Sequence, residues 1–84
     1  MEKFDYVITN DEGIHAIPAS ILANTAKQFE SDITIGCGDE KSDLKDLFGI
    51  MMMCIKKDSQ IVVETSGEDE KEAMVAIKKI LEDI

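Results

Sequence analysis

Apolar residues in this chain switch between two periods, and that switching restricts the folds open to it. Phe4, Tyr6 and Ile8 fall two apart beside polar Asp5 and Thr9, the spacing of a strand with one buried face. Ala19, Leu22, Ala23, Ala26 and Phe29 then recur at helical spacing. Ile33 and Ile35 flank Thr34, and Ile61, Val63 and Thr65 alternate with Val62 and Glu64, so two further strands are expected. Ala73, Ala76, Ile77, Ile80, Leu81 and Ile84 return to the helical period and mark the inner stripe of a last helix.

The residues between these stretches supply turns and helix starts. Asn10-Asp11-Glu12-Gly13 is turn chemistry. Pro18 lies in the first turn of a helix starting near Ala16, where its missing N–H costs nothing. Ser31-Asp32 breaks that helix, and Gly36 to Glu40 reads as a hairpin turn before a short strand around Lys41 to Leu44. Asp46 is placed as the N-cap of a short helix from Leu47 to about Met53, with Ile50 and Met53 inward and Gly49 a weak point. Lys56 to Ser59 forms the next loop, Ser66-Gly67 ends the fourth strand, and Glu68-Asp69-Glu70 opens the last helix at the positive end of its dipole. The order is βαββαβα. It predicts an α+β fold: an open-faced sandwich of one four-stranded antiparallel sheet with three helices on one face.

Eighty-four residues without a linker or repeat make a single domain, residues 1–84. A chain this short buries roughly 60–65% of its extended surface, enough for one modest core. Acidic residues outnumber basic ones, 18 to 9. The resulting charge of -9 disfavours nucleic acid and anionic membrane surfaces and favours partners with basic patches. No apolar run approaches the length of a membrane span, and the charged start, Met1 to Asp5, lacks the apolar core of a signal peptide. A cytoplasmic protein is expected, with Cys37 and Cys54 reduced, inert and partly buried. The spacing of His15 and the two cysteines matches no zinc site, and no metal or other cofactor is expected.

His15 is the only histidine, and it stands just before the first helix. Two readings are open. It is either a plain exposed residue or a nucleophile whose phosphorylated form is stabilised by the free N–H groups of the helix start, those of Ala16 and Ile17. Imidazole suits the second role because it is an uncharged nucleophile near neutral pH. No second acid/base partner for His15 and no glycine-rich phosphate loop are legible, so an independent small-molecule enzyme is not expected.

Gly13-Ile14-His15-Ala16-Ile17-Pro18-Ala19 resembles the G-[IL]-H-A-R-P-A motif of HPr, the histidine-containing phosphocarrier of the bacterial sugar phosphotransferase system. Leu44-Lys45-Asp46-Leu47-Phe48-Gly49-Ile50-Met51 resembles the second signature of that family, L-K-S-[IL]-[MF]-G-[VIL]-M. Lys57-Asp58 and Gly67-Glu68-Asp69-Glu70 also fit, so the likeness covers nearly the whole chain. The resemblance implies that His15 accepts a phosphoryl group from enzyme I and passes it to enzyme IIA. It further implies that Ser20, Leu47, Phe48, Met51 and Met52 form an apolar docking surface beside His15, where adaptable methionines suit several partners.

The departures from the motif are as informative. Ile17 stands where the family has arginine, so the site keeps only backbone amides for the phosphoryl oxygens unless Lys45 supplies charge. Loss of one hydrogen bond to a charged group costs about 1.5–3 kcal/mol, which slows transfer without abolishing it. Asp46 stands where HPr of Gram-positive bacteria has a serine phosphorylated by a dedicated kinase. It is either a simple N-cap or a partial imitation of phosphoserine, holding a regulatory HPr homologue ready for a catabolite-control regulator. Cys54 and Lys56 stand where the family often has glycines. Another phosphorelay is a further alternative, and a monomer is expected, with strand-exchanged dimers left open.

Overall fold

The computed structural model describes residues 1–84 and contains seven elements in the expected order. They are β1 (Glu2–Val7), α1 (Ala16–Ala26), β2 (Asp32–Cys37), β3 (Glu40–Asp43), α2 (Leu47–Met52), β4 (Gln60–Ser66) and α3 (Glu70–Asp83). The strands form one sheet in the order β1-β4-β2-β3, and every neighbouring pair is antiparallel. β4 is therefore central although it is last in sequence. Its Val63 stands between Phe4 of β1 and Ile35 of β2.

One face of the sheet is buried and the other is open. Ile33, Ile35, Ile61 and Val63 point inward beneath the helices and are essentially inaccessible. Leu22, Ala23 and Ala26 of α1, Ile50 of α2, and Ala73, Met74, Ile77 and Leu81 of α3 close the core over them. The opposite face carries Lys3, Asp5, Glu64 and Lys41, with Lys41 Nζ 3.4 Å from Glu64 Oε1. The division follows from the period-two alternation, which sends successive side chains to opposite faces. No helix is long and apolar enough to cross a membrane.

Several local expectations are corrected. Gly36 and Cys37 belong to β2, because the ladder runs to Cys37↔Glu40 and leaves only Gly38 and Asp39 to turn the chain. β3 thus starts at Glu40, and Leu44 lies beyond it, fully buried. Met74 joins the core while Ala76, Ile80 and Ile84 are only half-buried, which rotates the inner stripe of α3 from the expected one. Phe29 packs against the core from outside α1. Cys54 is exposed rather than partly buried and adopts a left-handed backbone, φ 52°; Cys37 is half-buried.

Two glycines are dictated by close approach. Gly13 has φ 65°, and a Cβ there would lie 2.7 Å from Lys56 Cα and against the Ile55 carbonyl. Gly49, a weak point by helix propensity alone, lets α2 settle against Ser42 and against Asp46 Oδ2, which a Cβ would meet at 2.9 Å. Packing demands the residue that propensity disfavours.

Candidate phosphoryl-acceptor site

The turn before α1 holds the site in place from two sides. Gly13 N–H donates to the Asn10 carbonyl (3.2 Å), and the Asn10 side-chain amide donates to the Gly13 carbonyl (2.7 Å). Ile14, buried in the core, donates its N–H to the Ile55 carbonyl (3.0 Å). The next residue, His15, is consequently fixed at the N-cap of α1 with extended backbone, φ −88° and ψ −165°.

The His15 side chain is 38% exposed, so its ring is reachable from solvent. Its carbonyl accepts the Ala19 N–H (3.0 Å), the first bond of α1. No side chain caps the helix start and no acidic residue occupies its first turn. The N–H groups of Ala16 and Ile17, at the first two positions of this helix, are therefore left without a side-chain acceptor, the arrangement that attracts an anion.

The charged neighbours differ from those expected. The chain contains no arginine, and the Ile17 side chain is 67% exposed, an aliphatic surface at that point. Lys45 does not replace the missing charge: its ammonium donates to the Phe29 carbonyl (2.9 Å) and lies in a separate depression with Asp32 and Asp43. Lys56 is the lysine that shares a depression with His15, together with Met51 and Cys54. Sequence reasoning found no partner for the imidazole, yet Glu12 Oε2 lies 3.2 Å from His15 Nε2. The i,i+3 spacing of Glu12 and His15 was a visible signal, but their contact depends on how the turn folds.

The expected docking residues divide between surface and core. Phe48 and Met52 are strongly exposed and Met51 less so. Ser20 is half-buried. Leu47 is half-buried and packs against the core. Ile50 and Met53 are buried as expected. Ile17 and Ile21 add exposed apolar surface on α1, where they line a depression with His15 and Ile84. Ile21 follows Ile17 by four residues, the spacing that places both on one helical face.

Asp46 occupies the N-cap position of α2, but its side chain makes no capping hydrogen bond. The simple N-cap reading is therefore incomplete: the carboxylate is exposed, turned toward Gly49. The extended backbone at Asp46, φ −102° and ψ 99°, still terminates the helix.

The family model "PTS HPr component phosphorylation site" matches residues 2–83. The phosphocarrier protein HPr of Mycoplasma capricolum subsp. capricolum is 40% identical over 83 residues, which cover 99% of this chain and 93% of that protein. A solved Mycoplasma histidine-containing phosphocarrier protein superposes with a TM-score of 0.95 at 39% identity, covering 98% of this chain and 93% of that one. HPr-C-His of Thermoanaerobacter tengcongensis gives 0.93 at 30% identity, covering 99% and 93%. Fold and sequence together define a small phosphocarrier of the phosphotransferase system rather than a catalytic enzyme. The chain belongs to the HPr family, with isoleucine in place of the motif's arginine.

Proposed function

We propose that this protein accepts a phosphoryl group on His15 from enzyme I and passes it to an enzyme IIA, working as a monomer in the cytoplasm. The observation that carries the reading is a reachable imidazole at an uncapped helix start, beside the free amides of Ala16 and Ile17. Those dipoles stabilise the phosphoryl oxygens. Phe48, Met51 and Met52, with Ile17 and Ile21, offer an apolar surface for the partner proteins. Without a guanidinium on the phosphoryl oxygens the exchange is slow compared with arginine-bearing relatives.

A second reading is favoured by the exposed, uncapped Asp46 carboxylate. In it the protein is a regulatory homologue with no phosphotransfer, bound by a catabolite-control regulator. One experiment separates the two. Incubation with enzyme I and phosphoenolpyruvate should add one acid-labile, alkali-stable phosphate, seen by mass spectrometry, and His15→Ala should remove it completely. An unlabelled parent protein, beside a competent HPr labelled in the same reaction, would refute the carrier reading and leave the regulatory one.

A further inference from the structure

Glu12 is the one charged side chain in polar contact with the His15 ring, and neither the HPr resemblance nor the motif assigns it a role. The surrounding turn sets its direction. The two Asn10–Gly13 hydrogen bonds fix the backbone on either side of it. The adjacent acid, Asp11, is drawn away to Lys57, 3.2 Å from its ammonium. Glu12 is left to face the imidazole, with Oε2 3.2 Å from Nε2.

Building on the assignment of His15 as phosphoryl acceptor, we propose that Glu12 is a positioning residue for the transfer. Its carboxylate, 3.2 Å from Nε2, favours a proton on that nitrogen electrostatically, which biases the ring toward the Nε2–H tautomer and leaves the lone pair on Nδ1 as the nucleophile. In the forward step that lone pair forms the Nδ1–P bond. The N–P bond of the donor, a phosphohistidine on the partner protein, breaks and returns its electron pair to the donor nitrogen. The proton on Nε2 stays in place, so the ring carries positive charge while the phosphoryl group rests on it. Passing the group on reverses these changes.

A carboxylate touching the far nitrogen offsets that positive charge. It acts on the ring at contact distance, whereas the phosphoryl oxygens lie farther off, across the width of the imidazole, where solvent screens the repulsion more strongly. The family motif places a cation on the phosphoryl group; this chain has none at Ile17 and holds an anion behind the ring instead. Because the Glu12 side chain is 75% exposed, solvent screens the pair and its effect is modest.

The test compares parent, Glu12→Gln and Asp39→Asn in single-turnover phosphorylation by phospho-enzyme I. Asp39→Asn is the control, because it makes the same charge change in the β2–β3 hairpin, outside the two depressions that His15 lines. Glu12→Gln should lower the rate at saturating donor by about three- to tenfold, leave the KM for the donor unchanged, and spare the control. In the unphosphorylated protein, 15N imidazole spectra should show the neutral ring more strongly biased to the Nε2–H form in the parent than in Glu12→Gln. An unchanged or faster rate with an unchanged tautomer ratio, in a parent protein that does label, would overturn the role of Glu12 alone. A parent that never labels would overturn the acceptor assignment beneath it.

Discussion

The starts of α1 and α3 are both reached through a glycine in an unusual backbone conformation, yet the protein treats them in opposite ways. At α3 the N-cap residue is tied across the fold, although its side chain does not cap its own helix. The Asp69 carboxylate accepts hydrogen bonds from the Glu30 N–H (2.9 Å), the Ser31 N–H (2.9 Å) and the Ser31 hydroxyl. The Thr65 hydroxyl donates to the Glu70 carbonyl (2.9 Å), and the Gly67 N–H donates to Glu70 Oε1 (3.1 Å). At α1 the N-cap residue, His15, makes no tie to a distant segment, and its side chain stays reachable from solvent. The difference separates two uses of one piece of physics. An N-cap side chain stabilises the fold when tied to a second element, and it is available for chemistry when left open.

The largest effect should come from breaking the support of the α1 start. Gly13→Ala puts a methyl group against the Ile55 carbonyl and Lys56 Cα in a left-handed backbone. It should cost about 3 kcal/mol of stability, measured by urea unfolding, and should also displace His15. Ile17→Arg sharpens the contrast from the other side. A cation added to the open helix start should speed phosphoryl acceptance by roughly ten- to a hundredfold in the enzyme I assay, with stability nearly unchanged. No change in rate would mean that the apolar side chain, and not the missing charge, is what the partner reads.

Asp69→Asn is the smallest change and isolates the structural helix start. Hydrogen bonding, chiefly from the Ser31 hydroxyl and then the Glu30 N–H, holds the Asp69 carboxyl below its ordinary value. A group depressed in the folded state adds stability above the unfolded value, near pH 4, and loses it as pH falls through the depressed folded value. Asp69→Asn should therefore lower the thermal midpoint at pH 7. The gap from the parent should shrink steadily below about pH 4, and labelling of His15 should be unaffected.

The seven elements, their order and the open-faced sheet were legible because period-two and helical spacings are local properties. So were His15 at a helix start and Ile50 and Met53 as core. Less legible were features that depend on what another segment brings. Lys45 looked like a replacement cation until its ammonium was found on the Phe29 carbonyl, sixteen residues away in sequence. Leu47 belonged to an apolar stretch whose division between surface and core depends on how α2 packs against α1 and β3. Cys54 was expected to be partly buried as an inert, reduced thiol, but the chain leaves the helix in a left-handed turn and exposes it.

By itself, the sequence determined where strands and helices form, which face of each is apolar, and that one imidazole precedes one helix. These follow from side-chain period and turn chemistry within a few residues. Tertiary structure decided which charges meet. It set Glu12 against His15, tied Lys45 to the Phe29 carbonyl beyond the C-terminal end of α1, and bound Asp69 to Ser31 across 38 residues. Side-chain contacts of a few ångströms depend on how separate segments are brought together, and composition or spacing along one segment does not specify that geometry.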